Sequence, residues 1–324
     1  MRIPERLSYS SFSLWEKQPD EFYLKYLSDH RPPRIPQERP AAAGSAFDAR
    51  VKASLYRSLF GDNDPKYTFE ALFEAQVEPQ NRDWALDVGA HIFGAYACSG
   101  FYGELLQLLK TSKTPPRFEF TVNGEINGVP FTGKPDLQFT LNTPVIHDFK
   151  VNGYCSKNAV SPHKSYRICR DGFIGKQSRS HGKTHGEYLG YDHHGFEINT
   201  SYLEVSNPAW ADQLSLYGWV LDEKIGDENV VLSIHQIVAK PAEPPQLRVA
   251  EYRARVKSEY QINLSQRLRS CWDAINNNHV FPMLSKEESE ARCQVLDDTA
   301  IGLLSDGSST EDWFNEATRE RYRG

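Results

Sequence analysis

Cysteine and methionine are scarce in this chain of 324 residues, with five Cys and two Met. Cys98, Cys155, Cys169, Cys271 and Cys293 are dispersed. No C-x-x-C pair opens a zinc knuckle or a cluster site, and an odd number of dispersed thiols does not make a disulfide framework. Runs of about 18 apolar residues are also lacking, which excludes an ordinary membrane-spanning helix. No N-terminal stretch has the zones of a secretory signal, so the expected setting is the cytoplasm, with reduced thiols and no membrane. The absence of internal repeats and of a Gly-rich loop with P-loop spacing argues against a solenoid or an ATP-driven motor.

What is present suits a globular protein: 39% of the residues are hydrophobic and 25% charged, enough for one elaborated domain. The net charge is −6, but it is unevenly spread. Between Lys150 and His185 stand eight basic residues, among them Lys157, Lys164, Arg167, Arg170, Lys176 and Arg179, against the single acid Asp171. That segment is therefore +7 and the remainder −13. Tyr154, Tyr166 and Phe173 are interleaved with its glycines. Basic and aromatic groups on a Gly-rich loop suit phosphate neutralisation and base stacking, as in a flap over DNA. A solvated, solubilising loop has the same composition. His181, His185, His193 and His194 give a lesser reading, a zinc site, which needs helical spacing that Gly182, Gly186 and Gly190 oppose.

The stretch Gly133 to Lys150, GKPDLQFTLNTPVIHDFK, has two apolar-rich runs flanking the turn-forming Leu141-Asn142-Thr143-Pro144. This predicts a β-hairpin. Folded about Asn142, it sets Asp136 opposite Asp148, Lys134 opposite Lys150 and Gln138 opposite Ile146 on one mostly polar face. Leu137, Phe139, Val145, Phe149 and Val151 take the other face. Facing carboxylates repel, so a cation is expected between them. Two carboxylates with room for water and phosphate suit Mg²⁺ or Mn²⁺, and Lys150, on the same face, can orient an attacking water. A surface hairpin with solvated charges is the alternative.

Coarsely, the remaining chain is helical. An N-terminal helix, a Pro-rich connector over Arg31 to Pro40 and a helix from near Ala43 precede further helices to about Lys110. Arg117 to Val151 reads as sheet with turns at Asn123-Gly124 and Asn127-Gly128, and Arg117 to Val122 as a strand carrying Glu119. After an insertion of about residues 152–200 come a helix around Gln213 and Tyr217, strands over Val230 to Lys240 and Gln246 to Ala254, and a helix from Ser258 to Asn277. Gln213 and Tyr217, four apart, share a helix face, either for function or for packing. Ser285 to Leu296, then a capping-box pair Ser308 and Glu311, predict a helical extension over residues 284–324 beyond one domain of residues 1–283.

The chain resembles the PD-(D/E)XK nuclease superfamily, in its RecB-like and phage-exonuclease branch. Pro135-Asp136 and Asp148-Phe149-Lys150 carry the likeness. Three further segments match in order: Leu7 to Leu27, like the family's opening Ser-rich turn and aromatic helix; Gly44 to Leu55, like its G-x-x-x-H helix; and Gln213 to Leu221, like its Q-x-x-x-Y helix. The resemblance implies an α/β fold with a restriction-endonuclease-like core, a small mixed sheet flanked by helices. It implies a Mg²⁺- or Mn²⁺-dependent deoxyribonuclease, an exonuclease of recombination, repair or phage DNA processing that leaves 5′-phosphates. Asp136 and Asp148 would hold the metal, Glu119 and Asp48 would support it, Lys150 would assist the water, and Gln213 and Tyr217 would approach the active site or the DNA. Asp48 stands where the family has His, and is either a ligand or a plain surface acid. Gln18 stands where several relatives begin an iron-sulfur cluster, so no cluster is expected. A structure-specific or restriction-type endonuclease, and an inactive DNA-binding scaffold, are the alternatives. The partners implied are DNA and a recombination or annealing protein.

Overall fold

The computed structural model describes residues 2–28, 36–152, 162, 166–170, 173–177, 184–185, 202–240 and 246–277. Lys157, Lys164 and Arg179, His181, His193 and His194, and the expected extension over residues 284–324 lie outside them.

The N-terminal segment folds as α1 (Tyr9–Lys17), α2 (Pro19–Phe22) and a π-helical turn (Tyr23–Leu27). Ser8 caps α1 in a reciprocal box with Ser11, meeting backbone donors that the first turn leaves orphaned. Helix α3 (Arg39–Phe60) starts before the expected Ala43, with Pro40 in the first turn, where a missing N–H costs nothing. It stops at Gly61, whose φ of 78° an L side chain resists. Helices α4 (Phe69–Gln76), α5 (Arg82–Cys98) and α6 (Phe101–Lys110) follow.

The strands are β1 (Arg117–Phe118), β2 (Val122–Ile126), β3 (Val129–Gly133), β4 (Leu137–Thr140), β5 (Pro144–Asn152), β6 (Arg167–Arg170), β7 (Phe173–Gln177) and β8 (Thr184–His185). After α7 (Leu203–Ser206) and α8 (Pro208–Val220) come β9 (Val231–Lys240), β10 (Gln246–Ala254) and α9 (Ser258–Asn276). The main sheet runs β1-β4-β5-β9-β10-β6-β7-β8, and β2 and β3 form a separate ribbon. β5 and β9 are parallel and the other ladders antiparallel, so the sheet is mixed. One face packs Val145, Phe149, Ile237 and Val249 against Phe47 and Leu55 of α3, Ile92 of α5 and Leu105 of α6. The other packs Ile146, Ile234 and Tyr252 against Leu214 of α8, Leu268 of α9 and Phe12 of α1. The fold is thus α/β, a mixed sheet between helical layers with a helical N-terminal region.

Four local expectations change. Asn127-Gly128 is the β2–β3 turn, with both residues at positive φ (49° and 74°), but Asn123-Gly124 lies inside β2. Gly124 is there because α8 comes close: a Cβ would sit 2.9 Å from Val220 Cγ2. The strand predicted over Arg117 to Val122 breaks at Glu119, which has a φ of 38°. The hairpin's supposed polar face is partly core, because β5 has neighbours on both sides and Ile146 is buried under α8. Finally, part of the insertion is sheet: β6 pairs along β10 and satisfies its open edge.

Candidate active site

The β4–β5 hairpin has the register expected from its turn, with Leu137 opposite His147, Gln138 opposite Ile146 and Phe139 opposite Val145. One step beyond the paired residues, that register brings Asp136 to Asp148, close enough for each carboxyl to shift the other's titration. Phe149 N–H also donates to Asp136 Oδ2 at 3.0 Å. The same strand delivers Lys150, whose Nζ stands 2.5 Å from Asp148 Oδ2. Helix α8 meets it there: Lys150 Nζ donates to Gln213 Oε1 at 2.9 Å, and Gln213 Nε2 donates to the Tyr217 hydroxyl at 3.1 Å. The structure thus brings Asp136, Asp148, Lys150, Gln213 and Tyr217 into one chain of contacts. Lys134 is not opposite Lys150; it pairs with Glu119 instead.

Helix α3 supplies the opposite wall. Asp48 and Lys52, one turn apart, face the hairpin, and Lys52 is only 2% exposed. Its ammonium lies 2.6 Å from Asp48 Oδ2, 2.9 Å from Asp136 Oδ1 and 3.5 Å from Glu119 Oε2. Burying that charge costs several kcal/mol, which only such carboxylates can offset. Sequence reasoning missed Lys52. Its signal was positional, because Lys52 shares the helical stripe of Asp48, Leu55 and Leu59, whose apolar members face inward. Glu119 is aimed inward by its unusual backbone, with its N–H bonded to Asp136 O at 3.0 Å. Its carboxylate oxygens take Lys134 and, at 2.6 Å, Gln76 Nε2.

Burial sets the protonation of these acids. It raises Asp48 to about 7 despite the attraction of Lys52. It raises Asp148 to about 8, helped by the neighbouring Asp136 charge and opposed by Lys150. Asp136 feels the same burial, but Lys52, the Phe149 N–H and the neighbouring Asp148 carboxyl together hold it below the usual carboxylate range. Of the pair, Asp136 is therefore the stronger acid and Asp148 the weaker. For Lys150, burial favours the neutral amine, yet Asp148 outweighs it and keeps the ammonium.

These groups line a cleft of about 360 Å³, floored by Asp136, Asp148 and Lys150 and walled by Asp48, Gln76, Lys134 and Gln213. Asp48 Oδ1 is buried there without a hydrogen-bond partner. Hard carboxylate oxygens around an orphaned acceptor are the donor chemistry of Mg²⁺ or Mn²⁺. Among the described residues, however, no three His, Cys, Asp or Glu side chains are arranged as a metal cage. Lys52 spans two of the carboxylates that would form one. A second concavity of about 320 Å³, beside Arg50 and Tyr67, contains none of these groups.

No protein-family description matches the chain, and no curated protein matches it. Among solved structures, a candidate exonuclease from Eubacterium rectale is 16% identical over 91% of this chain and 93% of its own, with a TM-score of 0.43. The protein SSO0001 is 10% identical over 76% and 80%, with a TM-score of 0.24. Likenesses this distant leave the functional reading to the side chains.

The basic segment divides. Arg167 is not a loop residue reaching for DNA: it is 6% exposed, donates to Ser99 O at 2.6 Å and to Glu104 Oε1 at 2.8 Å, and covers the Phe101 ring. It ties β6 to α6. Arg170 and Lys176 lie on β6 and β7, on the sheet rather than on a loop. No helix among the described residues is long and apolar enough to cross a membrane.

Proposed function

We propose that the chain is a divalent-metal-dependent deoxyribonuclease of the PD-(D/E)XK type, an exonuclease acting in recombination, repair or phage DNA processing. One observation carries the reading: Asp136, Asp148 and Lys150 converge from two adjoining strands on an open cleft, with Gln213 and Tyr217 behind them. Asp136 and Asp148, with Asp48 at the wall, would hold Mg²⁺ or Mn²⁺. The ion supplies charge neutralisation at the phosphate and a more acidic water.

The chain's own groups do the rest. Lys150, kept cationic by Asp148 and aimed by Gln213, orients the attacking water and meets negative charge as it develops on phosphorus oxygens. To hold the ion, Asp148 would have to be ionised, because a carboxylate must ionise to ligate. Lys134, at the mouth and more than half exposed, is placed to draw the phosphodiester in. Lys157, Lys164, Lys176 and Arg179 add attraction for the DNA backbone, and a recombination or annealing protein is the class of partner that would present the end.

A non-catalytic DNA-binding role has one observation in its favour, the lysine seated among the carboxylates. End-labelled linear and covalently closed circular DNA, incubated with a metal series, separate the readings. Metal-dependent loss of linear DNA alone supports an exonuclease, cutting of the circle an endonuclease, and binding without hydrolysis the scaffold.

A further inference from the structure

Asp48, Asp136 and Asp148 line the cleft, and Lys52, buried behind it, reaches Asp48, Asp136 and the neighbouring Glu119. An ammonium has three donors and no acceptor. Here each donor has a carboxylate, so Nζ is saturated and Lys52 has no reason to leave. It also has no route to solvent, being a buried residue of α3 at 2% exposure. A divalent ion bridging Asp48 and Asp136 would have to sit against this ammonium, and like charges at contact in a poorly screened site repel strongly. The oxygen left without a hydrogen-bond partner on this wall is Asp48 Oδ1, and Asp148 completes the cleft floor.

We infer that Lys52 is a built-in cation that occupies the place between Asp48 and Asp136 where an ion could otherwise bridge them, so that the chain takes up a single divalent ion. The inference rests on the metal-dependent reading above. It makes Lys52 a positioning residue, which fixes Asp48 and Asp136 before metal arrives and sets the number of ions.

The test is Mn²⁺ titration of the full chain by calorimetry and electron paramagnetic resonance, with no substrate present. Wild type is expected to bind one ion per chain and show an uncoupled Mn²⁺ spectrum. Lys52→Met should bind two, with a spin-coupled spectrum. It should also lose thermal stability without metal and regain most of it with Mn²⁺, a rescue that a merely structural lysine would not show. Should Lys52→Met fail to fold without metal, Lys52→Gln refolded with Mn²⁺ gives the same count. Two coupled ions in the wild type would overturn the inference while leaving the nuclease reading intact. So would an unchanged count in the folded variant. No binding in either protein would sink both.

Discussion

Lys150 Nζ donates to Gln213 Oε1 at 2.9 Å, joining the strand that carries the acids to a helix 63 residues further along the chain. Gln213 is itself steadied by the Tyr217 hydroxyl. Loss of the amide would leave the ammonium paired with Asp148 but free to swing about it. Gln213→Ala is therefore expected to lower kcat by about 10- to 100-fold, because misplacement of around 1 Å costs that much. KM for DNA should stay within a small factor. A variant that lowers affinity and not turnover would place Gln213 on the DNA rather than on Lys150.

Helices α3 and α5 touch at Gly89 with no room for a side chain. A Cβ on Gly89 would lie 2.6 Å from Ala46 Cβ and 2.9 Å from its carbonyl carbon, and that backbone belongs to the helix carrying Asp48 and Lys52. Gly89→Ala should cost about 1–3 kcal/mol through overpacking. Denaturant unfolding measures it, and an unchanged midpoint would show that the helices can separate.

The basic residues should divide by experiment as they do by position. Arg167→Ala breaks buried bonds to Ser99 and Glu104 and is expected to destabilise the fold by about 1–3 kcal/mol with the salt dependence of DNA binding unchanged. Lys157→Ala with Lys164→Ala should do the reverse, weakening binding across all sequences and flattening the salt slope by about one unit per lost contact. Fluorescence anisotropy at several salt concentrations reads both.

A pH prediction follows from the raised acids. Asp48 and Asp148 have folded values of about 7 and 8, above those of an unfolded carboxyl. A group so shifted contributes stability that is fully present below its unfolded value and is lost as pH rises through the folded value. The metal-free protein should therefore melt at progressively lower temperature from about pH 4 to about pH 8 and level off above, while Mn²⁺ affinity rises over the same range and binding releases protons. Calorimetry in buffers of different ionisation enthalpy counts those protons. A pH-independent affinity would contradict the assignment.

How much was legible in the sequence depended on which physical rule governed each residue. The meeting of Asp136 and Asp148 was legible because a tight turn dictates register, and register dictates which side chains face. The helices and β9–β10 announced themselves by periodicity, and Gln246–Ala254 has the bounds expected of it. Lys52 was not legible, because a lysine four residues after an aspartate ordinarily reads as a solvated helix pair, and only burial makes it a counter-ion. Glu119 was read as a strand residue because alternation does not reveal a single positive φ. Arg167 looked like part of a basic loop because charge counts carry no information about β6 pairing with β10.

The central claim is that the Asp136–Asp148–Lys150 cleft hydrolyses DNA, and Asp148→Asn tests it most directly. Asparagine keeps the shape and offers an amide donor beside Asp136, so the fold should survive with an unchanged circular dichroism spectrum. It cannot ionise to ligate. Measured on end-labelled linear DNA with Mg²⁺ and with Mn²⁺, the account predicts that hydrolysis falls by at least about 100-fold in the folded variant. Hydrolysis at the wild-type rate by folded Asp148→Asn would contradict it.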